Sequence, residues 1–121
     1  MEVVYDSVVN VSVDELKEIV SKLNELVSKA PELQEFIKYV HEAESTKVLD
    51  TKTKELMSLA IAIAVRCEPC ILWHTDAAVK AGAKLEEILE AIKVAVCMGG
   101  GPALMYALKA YNIAKEYLTK K

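Results

Sequence analysis

The sequence predicts an all-α protein of about six helices. Three observations carry that reading. Apolar residues recur at helical spacing along most of the chain, and no stretch after residue 11 alternates with a period of two. Proline or glycine punctuates the pattern at Pro31, Pro69, Gly82, Gly99 to Gly101 and Pro102. A length of 121 residues suits one helical domain over 1–121.

Residues 1–11 carry Val3, Val4, Val8, Val9 and Val11 without helical spacing, which predicts an extended arm or a short strand. Ser12 and Glu15 form an S-x-x-E capping box, and Leu16, Ile19, Val20, Leu23, Leu26 and Val27 keep helical period to about Lys29. Pro31 opens a second helix whose apolar face is Leu33, Phe36, Ile37 and Val40. After a polar connection from Glu44 to Leu49, Asp50 is the expected N-cap of a third helix running to about Arg66. From Leu56 to Val65 that helix is apolar on every side, so it has no face to offer water. A chain this small has few positions far from its surface, and association of identical subunits is the expected remedy. A fourth helix runs from about Pro69 to Ala81 and stops at Gly82. A fifth carries Leu85, Ile88, Leu89, Ile92 and Val96 to Gly99, and a sixth runs from Pro102 to about Leu118.

Composition narrows the setting. The chain is 53% hydrophobic with 6% aromatics, so Val, Ile, Leu and Ala must build the core. A net charge of −3 without a basic stripe argues against nucleic acid, and Lys120-Lys121 reads as a solvated tail. Glu2 and Asp6 stand where a signal peptide needs positive charge. The longest uncharged run, Val94 to Leu108, is short for a membrane span and is broken by glycines. Three cysteines are an odd number, unlike a secreted disulfide framework. A cytoplasmic protein with a catalytic dithiol is expected, with neither membrane nor nucleic acid as partner.

The chemistry gathers between Arg66 and His74. Cys67 and Cys70 form a C-x-x-C pair, Pro69 stands between them, and His74 follows Cys70 by four residues. Pro69 disfavours helix in the residue before it and suits a first turn, so Cys70 is expected at a helix N-terminus with His74 one turn on along the same face. A free thiol is only about 3% ionised at pH 7, and lowering its pKa by about 2 units needs roughly 2.7 kcal/mol. A helix terminus supplies about 0.3–1 kcal/mol, so a protonated His74, or Arg66 beside Cys67, must supply the rest. The spacing favours Cys70 as attacking thiolate, His74 as its base and later counter-ion, and Cys67 as resolving thiol. In thioredoxin-type sites, which also read Cys-x-Pro-Cys, the first cysteine attacks, so the two compete for the role.

The stretch from about Thr53 to Ala110 resembles the carboxymuconolactone decarboxylase family, and within it the alkylhydroperoxidase D branch. The matching features are Lys54-Glu55-Leu56, Cys67-x-x-Cys70-x-x-x-His74, Ala81-Gly82-Ala83, Glu86-Glu87-Ile88-x-Glu90-Ala91, and the glycine break before Pro102-Ala103. The resemblance implies an all-helical fold assembled as homotrimers or homohexamers, with thiol peroxidase activity toward hydroperoxides. It implies that Cys70 attacks, Cys67 resolves, and His74 and Glu55 relay protons, and that a dithiol carrier such as a lipoylated or thioredoxin-like protein restores the reduced pair. No cofactor is expected. The branch carries a histidine directly before the second cysteine, where this chain has Pro69. Glu55 enters through the resemblance alone: along a straight helix it lies about 18 Å from Cys67, reaching the site through a bend or from a neighbouring subunit.

Blander readings stand beside these. Cys67, Cys70 and His74 could be two semi-buried thiols and a surface imidazole, or three ligands of a zinc site completed by Cys97 or Glu68. Cys97 is expected in the core and His41 in solvent, while Trp73 either walls a pocket or simply packs. Gly99 to Gly101 ends a helix; no strand and no Gly-Lys-Ser/Thr marks a phosphate loop. The alternatives to a peroxidase or disulfide reductase are a lactone or β-keto acid decarboxylase and a non-catalytic oligomer that senses redox state.

Overall fold

The structure, a computed structural model, describes the backbone of residues 2–119 and the side chains of residues 13–119. It is all-helical over the described residues: α1 (Glu2–Lys29), a 3-10 turn (Pro31–Leu33), α2 (Gln34–Glu44), α3 (Thr51–Ala64), α4 (Glu68–Lys80) and α5 (Leu85–Thr119).

One expectation is corrected at once. Residues 2–11 are neither an extended arm nor a strand but the start of α1. Nothing from Glu2 to Ala30 is glycine or proline, so a helix nucleated further along has no reason to stop, and β-branched valines lower propensity only slightly. The Ser12 half of the expected capping box lies outside the described side chains, as does the Lys120-Lys121 tail. Glu15, the other half, accepts from Lys109 of α5 at 2.8 Å. α5 contains the expected fifth and sixth helices, two helices joined across a kink where the backbone leaves helical geometry at Gly100 (φ 72°, ψ −155°). Glycine alone takes that backbone without strain, so the expected break survives as a kink one residue later.

The core forms where α3, α4 and α5 meet, around Leu59, Ile63, Ile71 and Ile88, with Ala78, Ala103 and Ala110 letting the backbones approach closely. α1 closes one side through a smaller cluster of Leu16, Leu72 and Ile113, against which Ile19, Val20 and Trp73 pack. α2 buries no residue, and its Phe36 stays 66% exposed.

The apolar surround of α3 is only half covered. Leu59, Ala62 and Ile63 face inward, while Met57, Ile61 and Val65 are exposed at four-residue spacing. Val94, Met98, Leu104, Met105 and Leu108 of α5 are exposed too. Cys97 belongs to this outward side, which corrects its expected burial. α5 turns Ile88, Ala91 and Ala95 inward, and position 97 falls on the opposite face. By length and hydropathy α5 could cross a membrane, yet it is kinked at Gly100 and packs on α3 and α4.

Candidate active site

α3 and α4 are joined by a turn that fixes the cysteine pair. The N–H of Cys67 bonds the carbonyl of Ala62 at 3.0 Å, and that of Arg66 bonds Ile63 at 3.1 Å, the pattern of a Schellman C-cap. Such a cap needs a left-handed residue, and here it is Arg66 (φ 61°). The end of α4 repeats the pattern, Ala83 to Ala78 at 2.9 Å and Gly82 to Val79 at 3.0 Å, with glycine in the equivalent place (φ 100°). A side chain in that conformation costs roughly 1–2 kcal/mol, so the turn before the cysteines is strained where its counterpart is not.

The turn makes Cys67 the N-cap of α4. Its sulfur accepts the N–H of Cys70 at 3.3 Å, and Pro69 occupies the first turn as expected. A disulfide joins Cys67 to Cys70, whose Cα atoms lie 5.2 Å apart. A sulfur at the cap position is where a thiolate gains most from the helix terminus, so Cys67 has its own claim to ionise.

His74 lies one turn beyond Cys70. α4 folds back against α3, and Glu55 meets His74 rather than Cys67, without a bend and within the same chain. The Nδ1–H of His74 donates to Glu55 Oε1 at 2.7 Å. A carboxylate only accepts, so this bond assigns the proton to Nδ1 and leaves Nε2 as the basic nitrogen. The Glu55 side chain is only 8% exposed and that of His74 19%.

A third member of this cluster, Glu44, was not marked by the sequence, where it opens what reads as a polar connection. It is the last residue of α2. Its Oε2 accepts the hydroxyl of Ser58 at 2.8 Å and lies 3.6 Å from His74 Nδ1. Burial pushes the Glu44 carboxyl above the ordinary glutamate range; the like charge of Glu55 adds to this, while the Ser58 hydroxyl opposes it.

Cys70, His74, Glu55 and Glu44 all line one cavity of about 730 Å³. Its walls are mainly apolar: Ile19 and Leu23 from α1, Phe36, Ile37 and Val40 from α2, Trp73 and Ala77 from α4. The apolar face of α2 is thus spent on a cavity instead of the core. Trp73 both packs on the α1 cluster and walls the cavity. His41 is exposed, as expected, at the cavity's edge. For a metal ion, the donor atoms of Glu44, Glu55 and His74 lie within 4.8 Å of one another. Among the described residues this is the group at ligand spacing, and it contains neither cysteine, unlike the zinc set considered from the sequence.

The family model described as Carboxymuconolactone decarboxylase family matches residues 31–112, further upstream than the stretch from Thr53 to Ala110 that carries the resemblance. A solved carboxymuconolactone decarboxylase family protein of Legionella pneumophila, in its apo form, is 38% identical with a TM-score of 0.79, over 87% of this chain and 96% of that one. A second, from Thermotoga maritima, is 33% identical with a TM-score of 0.77, over 85% of this chain and 89% of that one. An involvement in the antioxidative response has been suggested for it. Uncharacterized proteins of Cupriavidus necator and Paracoccus denitrificans are 40% and 41% identical over 62 and 68 residues. Those matches cover 51% and 56% of this chain, and span 55% and 61% of the relatives' own lengths.

Proposed function

This chain belongs to the carboxymuconolactone decarboxylase family, and we propose that it is a thiol peroxidase working through the Cys67–Cys70 pair. The observation that carries this reading is that Cys70 opens, beside His74, onto the apolar cavity, with its disulfide partner at the adjacent helix cap. His74 Nε2 takes the Cys70 proton, and Glu55 holds the resulting imidazolium. The Cys70 sulfur attacks the outer oxygen of a hydroperoxide, an alcohol leaves, and Cys67 displaces water from the sulfenic acid to form the disulfide. The apolar walls favour organic hydroperoxides over hydrogen peroxide, since each buried methylene adds about 0.8 kcal/mol of binding. The antioxidative role suggested for the Thermotoga maritima relative points the same way.

A dithiol, carried by a lipoylated or thioredoxin-like protein, restores the pair, and a cytoplasmic setting suits a disulfide that must be reduced in each cycle. A lactone decarboxylase would have no use for sulfur beside its imidazole. The test is a Cys67→Ser variant treated with one equivalent of an alkyl hydroperoxide. A sulfenic acid on Cys70, trapped and located by mass spectrometry, is expected; oxidation on Cys97 alone would overturn the assignment.

The exposed apolar face of α3 and α5 supports a homo-oligomer, a trimer or hexamer, that buries Met57, Ile61, Val94 and Met105. Light scattering at micromolar concentration is expected to give several times the mass of one chain, and replacing Ile61 and Met105 by glutamate to lower it. A monomer at that concentration contradicts the proposal.

A further inference from the structure

Hydroperoxide reduction by the pair needs a proton at the expelled alkoxide and another at the departing hydroxide, and once His74 has taken the Cys70 proton Glu55 holds that charge on the ring. We infer that a second group, Glu44, is the acid that protonates the alkoxide expelled when Cys70 attacks the hydroperoxide and the base that accepts the proton of Cys67. The inference rests on the peroxidase reading.

Glu44 ends α2 at the negative pole of the helix, where a carboxylate is disfavoured. Its side chain is 17% exposed, lines the same cavity as Cys70, and stands 3.6 Å from the base His74. From α3 it faces Glu55, a like charge, and the neutral hydroxyl of Ser58, while Lys54 is engaged by the carbonyl of Ser45 at 2.7 Å. From α4 it faces His74; Asp76 and Lys80, also in the wall, pair with each other at 2.9 Å. On its own helix, His41 is exposed, and among the described side chains α1 contributes Ile19 and Leu23. With a carboxyl group and an imidazole adjoining one cavity, the roles of acid and base can be divided between two residues.

The protons then balance. In the first step His74 takes the Cys70 proton, the sulfur–oxygen bond forms as the oxygen–oxygen bond breaks, and the alkoxide takes the proton of Glu44. In the second, the Cys67 sulfur forms the disulfide as the sulfur–oxygen bond breaks, hydroxide takes the proton of His74 to leave as water, and the Cys67 proton returns to Glu44. Both groups are reset.

The experiment measures Cys70 oxidation by an alkyl hydroperoxide in stopped flow, from about pH 5 to about pH 8, in wild type, Glu44→Gln and Ser58→Ala. Glutamine still accepts the Ser58 hydroxyl and fills the same volume. Its rate is expected to fall at least about tenfold at the acid end, below the range of a direct acid, and the deficit to close as pH rises and wild-type Glu44 also loses its proton. Ser58→Ala removes a donor to the ionised form, so its profile is expected to bend at higher pH than wild type. A deficit that is the same at every pH, or no deficit, overturns the role of Glu44 alone. A wild type inert to hydroperoxide overturns the peroxidase reading and this role with it.

Discussion

Replacing Cys70 with serine is expected to abolish hydroperoxide reduction, by at least about a thousandfold in kcat/KM. A serine hydroxyl is not ionised near neutral pH and its oxygen cannot be oxidised, so no residual pathway runs through that position. The loss should be chemical and not structural. The first turn of α4 is held by the Cys70 N–H and Pro69, and its cap is the sulfur of Cys67, none of which the substitution touches. The bridge joins residues only three apart, so losing it returns little chain entropy to the unfolded state. Unfolding by urea should therefore differ little between the variant and the reduced wild type. Retained turnover in Cys70→Ser, with loss in Cys67→Ser, would exchange the roles in favour of the cap cysteine.

Glu55→Gln is expected to lower the rate by about a hundredfold to a thousandfold. The carboxylate that accepts the His74 Nδ1–H at 2.7 Å is the charge that steadies the imidazolium once Nε2 has taken the thiol proton. A glutamine carbonyl keeps the hydrogen bond and the volume but not the charge. The pair lies largely out of water, where that charge acts at short range with little screening. An unchanged rate would mean that Glu55 only positions the ring.

Much of this architecture was legible because prolines and glycines cut the chain. Pro31, Pro69 and Gly82 each stand at an element boundary, and Asp50 caps α3 by accepting the Thr53 N–H at 2.8 Å. What escaped depended on partners distant in sequence. The turn at Arg66 has no glycine to announce it. Glu55 looked remote because distance along one helix says nothing of a second helix folded back upon it. Glu44 joins the site from the end of α2, twenty-odd residues upstream of the cysteines and in a segment read as a polar connection. Cys97 sits among apolar neighbours in sequence, yet its side of α5 faces outward in the single chain. The motif itself was compact enough to read, since Cys67, Cys70 and His74 fall within two helical turns.

The most direct measurement is an anaerobic titration of thiols in the reduced protein, before and after one equivalent of an alkyl hydroperoxide. Of the chain's three thiols, two are expected to disappear together as the Cys67–Cys70 disulfide, leaving Cys97 free. Three thiols surviving the peroxide, or the loss of Cys97 with the pair intact, would contradict the account.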